Sequence, residues 1–248
     1  MKIKYAINSC DSNPLYFDFW KYTKQAWLKI GITPVLVYIA EDYNSKLIDE
    51  KDAIVIRLKP IPEIPIYFQT QWVRFWITNN FYKGVCITSD IDMIPLSRWH
   101  FVEQIQAYSS EDYLHLNSCI GEYGRLPVCY HVAKGDTFKE VLELDDTWEE
   151  SVKRVYNAKF DNALHGTLHK WGNDEEYSTQ KILAYIQVNQ NRVKLLDRFG
   201  GSKNHRLDRD DWRYTEAQLN QVHFYDAHCA RPLQQYESDI QLIINKIQ

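Results

Sequence analysis

Asp90 and Asp92 stand one residue apart at the end of an apolar run, Gly84-Val85-Cys86-Ile87-Thr88-Ser89-Asp90-Ile91-Asp92-Met93-Ile94-Pro95. Paired carboxylates are suited to holding a hard divalent cation, which takes oxygen ligands. In an α/β protein, ligands gather outside the carboxyl ends of the strands, so the pair sits where a phosphorylated substrate and its metal would meet. A solvated turn is the plain alternative, because Asp is common in turns. The apolar strand ahead of the pair and Pro95 behind it favour the metal reading.

The elements that must position this pair are legible from periodicity. Ile3 to Ile7 reads as a buried strand, and Asn13-Pro14 opens a helix in which Tyr16, Phe19, Trp20, Thr23, Trp27 and Ile30 keep helical spacing until Gly31. Strands follow at Val35 to Ile39 and Ala53 to Leu58. A helix then runs from about Ile66 to Phe81 with Phe68, Trp72, Phe75 and Trp76 on one side, and a fourth strand, Gly84 to Thr88, delivers the acidic pair. This order predicts an α/β fold with a mixed, mostly parallel sheet flanked by helices.

The second half is less regular. Strands are expected at Tyr113 to Leu116 and Val128 to Val132, and helices near Thr137 to Leu144, Asp146 to Tyr156, Asp174 to Val188 and Leu233 to Ile247, which suggests an added, partly antiparallel lobe. Between Asp197 and Asp211 a polar stretch, Arg198-Phe199-Gly200-Gly201-Ser202-Lys203-Asn204-His205-Arg206, lacks periodicity and reads as a mobile loop rich in donors for phosphate. The expected organisation is one domain, with a nucleotide-binding half over about 1–95, an acceptor half over about 96–232 and a terminal helix over 233–248.

Bulk composition narrows the classes. A chain of 248 residues with 45% hydrophobic content can bury a full core. Its net charge of -4 offers no basic surplus for a nucleic-acid backbone or an anionic membrane. The five cysteines, Cys10, Cys86, Cys119, Cys129 and Cys229, are scattered without a C-x-x-C pair and read as reduced thiols. No stretch approaches the roughly 18 apolar residues of a membrane span, and Met1 to Asn8 runs into a strand rather than a leader's apolar region, so a cytoplasmic protein is expected.

The helix with Arg74-Phe75-Trp76-Ile77, a short link and the run from Gly84 to Leu96 together resemble the core of the GT-A glycosyltransferases. The resemblance implies that Asp90 and Asp92 bind Mn²⁺ or Mg²⁺ and, through it, the diphosphate of a nucleotide sugar. The segment His223-Phe224-Tyr225-Asp226-Ala227-His228-Cys229-Ala230-Arg231-Pro232 is similar to the late His and Lys/Arg-Pro element of glycogenin-type members, which implies a histidine as third metal ligand and Arg231 on phosphate. His228 is preferred and His223 stays open. Arg74, Asn8 and Asp11 are implied near the nucleotide, with Ser9 and Cys10 beside them. The loop residues Lys203 and Arg206 are expected to help neutralise the diphosphate. Asp174, then Glu175, in Trp171-Gly172-Asn173-Asp174-Glu175-Glu176, are the catalytic candidates, against capping of a helix start. Arg206-Leu207-Asp208-Arg209 and Cys129-Tyr130-His131-Val132-Ala133-Lys134-Gly135-Asp136 together resemble small viral and bacterial members, chlorovirus-type ones included.

The expected activity is therefore metal-dependent transfer of a hexose from a nucleoside diphosphate sugar, UDP-linked by expectation, to a hydroxyl of a glycan or small molecule, with retention favoured over inversion. Other readings compete. A haloacid-dehalogenase-type phosphatase also uses Asp-x-Asp at a strand end, but wants Thr or Val where Ile94 stands and usually begins on the first strand. A nucleotidyltransferase needs a glycine-rich loop where Asn8 to Pro14 has none. A non-catalytic sugar- or metal-binding module is the third.

Overall fold

The computed structural model describes residues 1–42, 48–81, 83–118, 120, 124–160, 172–197, 205–221 and 224–247. Seven of the described strands form one sheet: β1 (Tyr5–Cys10), β2 (Thr33–Ile39), β3 (Ile54–Leu58), β4 (Val85–Thr88), β6 (Tyr113–Ser118), β7 (His131–Lys134) and β8 (Val193–Asp197), in the order β3-β2-β1-β4-β7-β6-β8. Pairings β1 with β2, β2 with β3, β1 with β4 and β6 with β8 are parallel. Strand β7 lies antiparallel to both neighbours. The second half thus extends the first half's sheet instead of forming a lobe of its own.

The central strands are buried on both faces, and alternate side chains feed two separate cores. Ala6, Leu36, Tyr38, Val85 and Ile87 enter one core with α2 (Trp20–Lys29) and α8 (Leu233–Asn245). Ile7, Val35, Val37, Ile39 and Cys86 enter the other with α3 (Ile66–Trp76), α4 (Gly135–Leu142) and α5 (Trp148–Tyr156). A sheet covered by helices on both faces favours such strands, with near-continuous apolar runs. Among the described residues no helix is long and apolar enough to cross a membrane.

Local differences from the sequence reading have physical causes. The first strand runs on through Asn8 to Cys10, paired with β2 as far as Tyr38; the Asn8 NH2 group donates to the carbonyls of Ala6 and Val35, and its Oδ1 is buried without a hydrogen-bond partner. The first helix is divided into α1 (Pro14–Phe17), capped by the Asn13 side chain, and α2. The strand expected at Val128 begins instead at His131. Two buried imidazoles, His115 and His131, hold the preceding turn by donating from Nε2 to the Pro127 carbonyl at 3.0 and 2.7 Å. A second, three-stranded sheet, β5 (Met93–Pro95), β10 (Asp226–His228) and β9 (Arg206–Leu207), joins the acidic turn to the late part of the chain. Two further α-helices among the described residues are α6 (Asn173–Val188) and α7 (Glu216–Asn220). The described cysteines Cys10, Cys86, Cys129 and Cys229 are buried thiols, and Cys119 lies outside the described residues.

Candidate active site

The sheet order reverses at β1, whose neighbours are β2 on one side and β4 on the other. Such a reversal opens a crevice at the carboxyl ends of the strands. A cavity of about 300 Å³ lies there, lined by Ser9, Cys10 and Asp11 from the end of β1 and by Asp90, Ile91 and Asp92 from the end of β4. That volume is at the lower end of what small-molecule sites occupy.

The acidic turn is fixed through its backbone. Ser89 N–H donates to Ile7 O at 2.9 Å, and Met93 N–H closes the turn onto Asp90 O at 3.1 Å. Thr23 Oγ1 donates to Ile91 O at 2.5 Å, and Cys229 N–H to Asp92 O at 2.8 Å. Ile91 is buried in the core between them. With three successive carbonyls engaged and the middle side chain packed inward, both carboxylates are left facing the cavity.

Each carboxylate meets arginine. Asp90 is ion-paired with Arg74, a buried guanidinium on α3. Burial would raise the Asp90 carboxyl, but the charge and hydrogen bond of Arg74 outweigh it and hold it below the usual carboxylate range. Asp92, 3% exposed, has its Oδ2 at 3.4 Å from Arg209 Nη1, 3.7 Å from His228 Nε2 and 3.8 Å from Arg231 Nε. His228 turns its other nitrogen, Nδ1, to Asp208 Oδ2 at 3.7 Å. Burial alone would lower this imidazole, yet the flanking Asp208 and Asp92 carboxylates raise it to about 9. The Arg231 guanidinium also lies over the Tyr16 ring, 4.8 Å from its centroid.

Asp174 and Glu175 enter the same cavity from the first turn of α6. Asp174 is 1% exposed, its Oδ1 has no hydrogen-bond partner, and burial together with the neighbouring Glu175 charge pushes its carboxyl up to about 7 despite Arg74. Burial raises Glu175 as well, opposed by Arg125, whose Nε lies 2.9 Å from Glu175 Oε2. The Arg125 guanidinium crosses directly over Gly172, where an added Cβ would come within 2.3 Å of Nη1. Glycine before this helix leaves room for the guanidinium in this position; a larger residue would make the Arg125 side chain shift.

Asp11, Arg74, Asp90, Asp92, Asp174, Glu175, His228 and Arg231 line one cavity. Asn8 does not, because it is fully buried within the sheet. Lys203 and His223 lie outside the described residues, as do Trp171 and the loop over 198–204. Arg206 is also elsewhere: its Nε donates to Asp226 Oδ1 and Oδ2 at 2.9 and 3.1 Å, and its Nη2 to Oδ2 at 2.5 Å, in a buried ion pair that ties β9 to β10. Asp226→Ala would leave that guanidinium buried without its counter-charge, a change expected to cost about 3–5 kcal/mol. In thermal denaturation followed by circular dichroism this should read as a loss on the order of 10 °C for a chain of this size.

Several lining residues were not singled out from sequence as site residues. Tyr67, Thr70 and Gln71 share with Arg74 the one polar stripe of α3, opposite Phe68, Trp72 and Phe75. That stripe was a weak signal, since an amphipathic helix also keeps a polar face toward solvent. Asp208, Arg209 and Arg125 reach the site by tertiary contacts alone.

Two carboxylates and, once His228 gives up its proton, an imidazole facing one cavity are oxygen and nitrogen donors of the kind Mn²⁺ or Mg²⁺ accepts, so the donor types fit such an ion. As arranged, however, arginines occupy the carboxylates, and among the described residues no group of three or more His, Cys, Asp or Glu side chains is drawn together as a metal site.

No family model and no curated protein matches the chain. Solved structures with similar backbones include a galactosyltransferase LgtC in complex with donor and acceptor sugar analogs, at 8% identity over 98% of this chain and 96% of that one, with a TM-score of 0.48. The WbbM bifunctional glycosyltransferase is similar at 9% identity over 98% of this chain, with a TM-score of 0.49, and glycosyltransferase GlyE of Streptococcus pneumoniae TIGR4 at 12% identity over 98%, also with 0.49. This chain spans 50% of the WbbM chain and 62% of the GlyE chain.

Proposed function

We propose that this protein is a glycosyltransferase that moves a hexose from a nucleoside diphosphate sugar, UDP-linked by preference, to a hydroxyl of a glycan or other small acceptor. The observation that carries this reading is the convergence, at the switch point of the sheet, of the Asp90/Asp92 turn with His228 and Arg231 from the other end of the chain. A departing nucleoside diphosphate develops negative charge as the bond to the sugar breaks, and cationic groups aimed at that charge lower the barrier most. Arg231 and Arg209 supply fixed positive charge on one wall.

Asp90, Asp92 and His228 would hold Mn²⁺ or Mg²⁺, which supplies Lewis-acid neutralisation of the diphosphate oxygens when bound. The remaining chemistry belongs to the protein. Tyr16 and Tyr67, with Asp11 and Asn13, form the outer part of the cavity, where aromatic faces and short polar side chains suit a nucleobase and ribose. Arg74 anchors Asp90 and faces Asp174 across the inner end. Asp174, poised to gain or lose a proton near neutrality, is placed to hold or exchange a proton with a sugar or acceptor hydroxyl. Retention is the favoured stereochemical course, readable by proton NMR of the fresh product's anomeric centre.

The phosphatase reading is the weaker one: Ile94 stands where that pattern wants Thr or Val, and the acidic pair follows the fourth strand instead of the first. A thermal-shift screen tests the proposal. Nucleoside diphosphates are expected to raise the melting temperature by mass action more with Mn²⁺ than with EDTA, and uridine diphosphate more than the others. No shift with any nucleotide, with or without metal, counts against it.

A further inference from the structure

Asp92 carries more positive partners than one carboxylate can satisfy. A single oxygen, Oδ2, is approached by Arg209, Arg231 and His228 within 3.4, 3.8 and 3.7 Å. Two of these partners have other roles: Arg231 packs over Tyr16, and His228 is shared with Asp208. Among the described residues Arg209 has Asp92 as its one acidic partner, and it reaches the cavity from a short 3₁₀ turn, Arg209–Asp211, with its side chain 33% exposed. A cation entering the cavity needs the oxygen that Arg209 holds, and it would leave guanidinium groups unpaired beside a new dication. A diphosphate entering alone meets the carboxylates of Asp90 and Asp92, while Arg209 and Arg231, which would receive it, are drawn to Asp92. Each ligand by itself therefore faces like charge, and each removes the obstacle to the other.

We infer that Arg209 is an internal counter-ion for Asp92 that is handed to the donor's diphosphate when a divalent cation binds, so that metal and nucleoside diphosphate bind with positive coupling set largely by this residue. The inference rests on the cavity being a metal–nucleotide site. Coupling between two ligands is reciprocal, so the same factor must appear whichever is added first.

The test measures three affinities on the full chain at one pH: Mn²⁺ alone by the electron paramagnetic resonance signal of free metal, uridine diphosphate in EDTA, and uridine diphosphate in saturating Mn²⁺, the last two by calorimetry. In the unaltered protein Mn²⁺ should tighten the nucleotide about tenfold or more, within the usual range of such couplings. Arg209→Gln should shift the two ligands in opposite directions, binding Mn²⁺ alone severalfold more tightly and the nucleotide–metal pair several-fold more weakly. Arg209→Lys, which keeps the charge, should bind Mn²⁺ alone as the unaltered protein does. A merely structural arginine would weaken both ligands or neither. Equal nucleotide affinity with and without Mn²⁺, or Mn²⁺ binding that Arg209→Gln weakens or leaves unchanged, overturns the inference while the proposed function stands. Failure of both ligands to bind the unaltered protein removes the function and the inference together.

Discussion

Asp92→Asn is expected to lower turnover of a UDP-hexose by a factor of about 10³ or more while the protein folds as before, since removing one group that stabilises transition-state charge commonly costs about 10²–10³ in rate and here a metal ligand is lost as well. The fold should persist because the turn is held by main-chain contacts, from Cys229 N–H to Asp92 O and from Thr23 Oγ1 to Ile91 O, which the substitution leaves in place. Two of its three cationic neighbours keep other contacts, Arg231 its seat on Tyr16 and His228 the Asp208 carboxylate, and the third, Arg209, is partly exposed to solvent. Release of uridine diphosphate followed by a coupled assay, with circular dichroism as the folding control, measures both halves. An Asp92→Asn protein that turns over donor at the unaltered rate contradicts the assignment.

Asp174→Asn is the second large effect, and it should move activity and stability in opposite directions. Loss of a positioned proton-exchanging group typically lowers rate by about 10²–10⁴. The stability change follows from linkage. The Asp174 carboxyl is raised to about 7 in the folded protein from 3.8. Protonation of such a group favours the folded state, a contribution fully present below the unfolded value and lost as pH rises through about 7. By pH 8 the unaltered protein carries a cost of a few kcal/mol that an amide does not. The melting temperature of Asp174→Asn relative to the unaltered protein should therefore rise between pH 4 and 8. A difference that stays flat across that range, or falls, would mean that Asp174 is not the buried, strained carboxyl described here.

Much of the layout was legible because its causes are local. The β4 run and its Asp-x-Asp end announced both the strand and the turn, and the first ninety residues fold close to the elements read from periodicity. The Trp-Gly-Asn-Asp-Glu-Glu segment was also interpretable, since acids at a helix start and a glycine before it are short-range features. Asn8 shows the limit of this reasoning: a polar residue at the end of a strand could face the ligand or be satisfied by its neighbours, and only the pairing of β1 with β2 brings Val35 O within reach. Arg206 shows the same limit for charge. From sequence it was one of several donors in a polar stretch, whereas strand pairing of β9 with β10 places Asp226 beside it and removes it from the cavity. Arg209, three residues later, takes the place at the site that Arg206 was expected to fill. Which of two neighbouring arginines faces a ligand depends on the register of a two-residue strand, and no local pattern encodes that.

The central claim is that Asp92 and His228 clamp a cation against a nucleotide diphosphate at the switch point of the sheet. Crystals grown with Mn²⁺ and uridine diphosphate test it directly through the anomalous signal of manganese. The account predicts a peak in coordination contact with Asp92 and His228, with the diphosphate on its far side and Arg231 against a phosphate oxygen. Nucleotide bound in the cavity with no manganese peak at these residues, or a peak elsewhere on the protein, would contradict it.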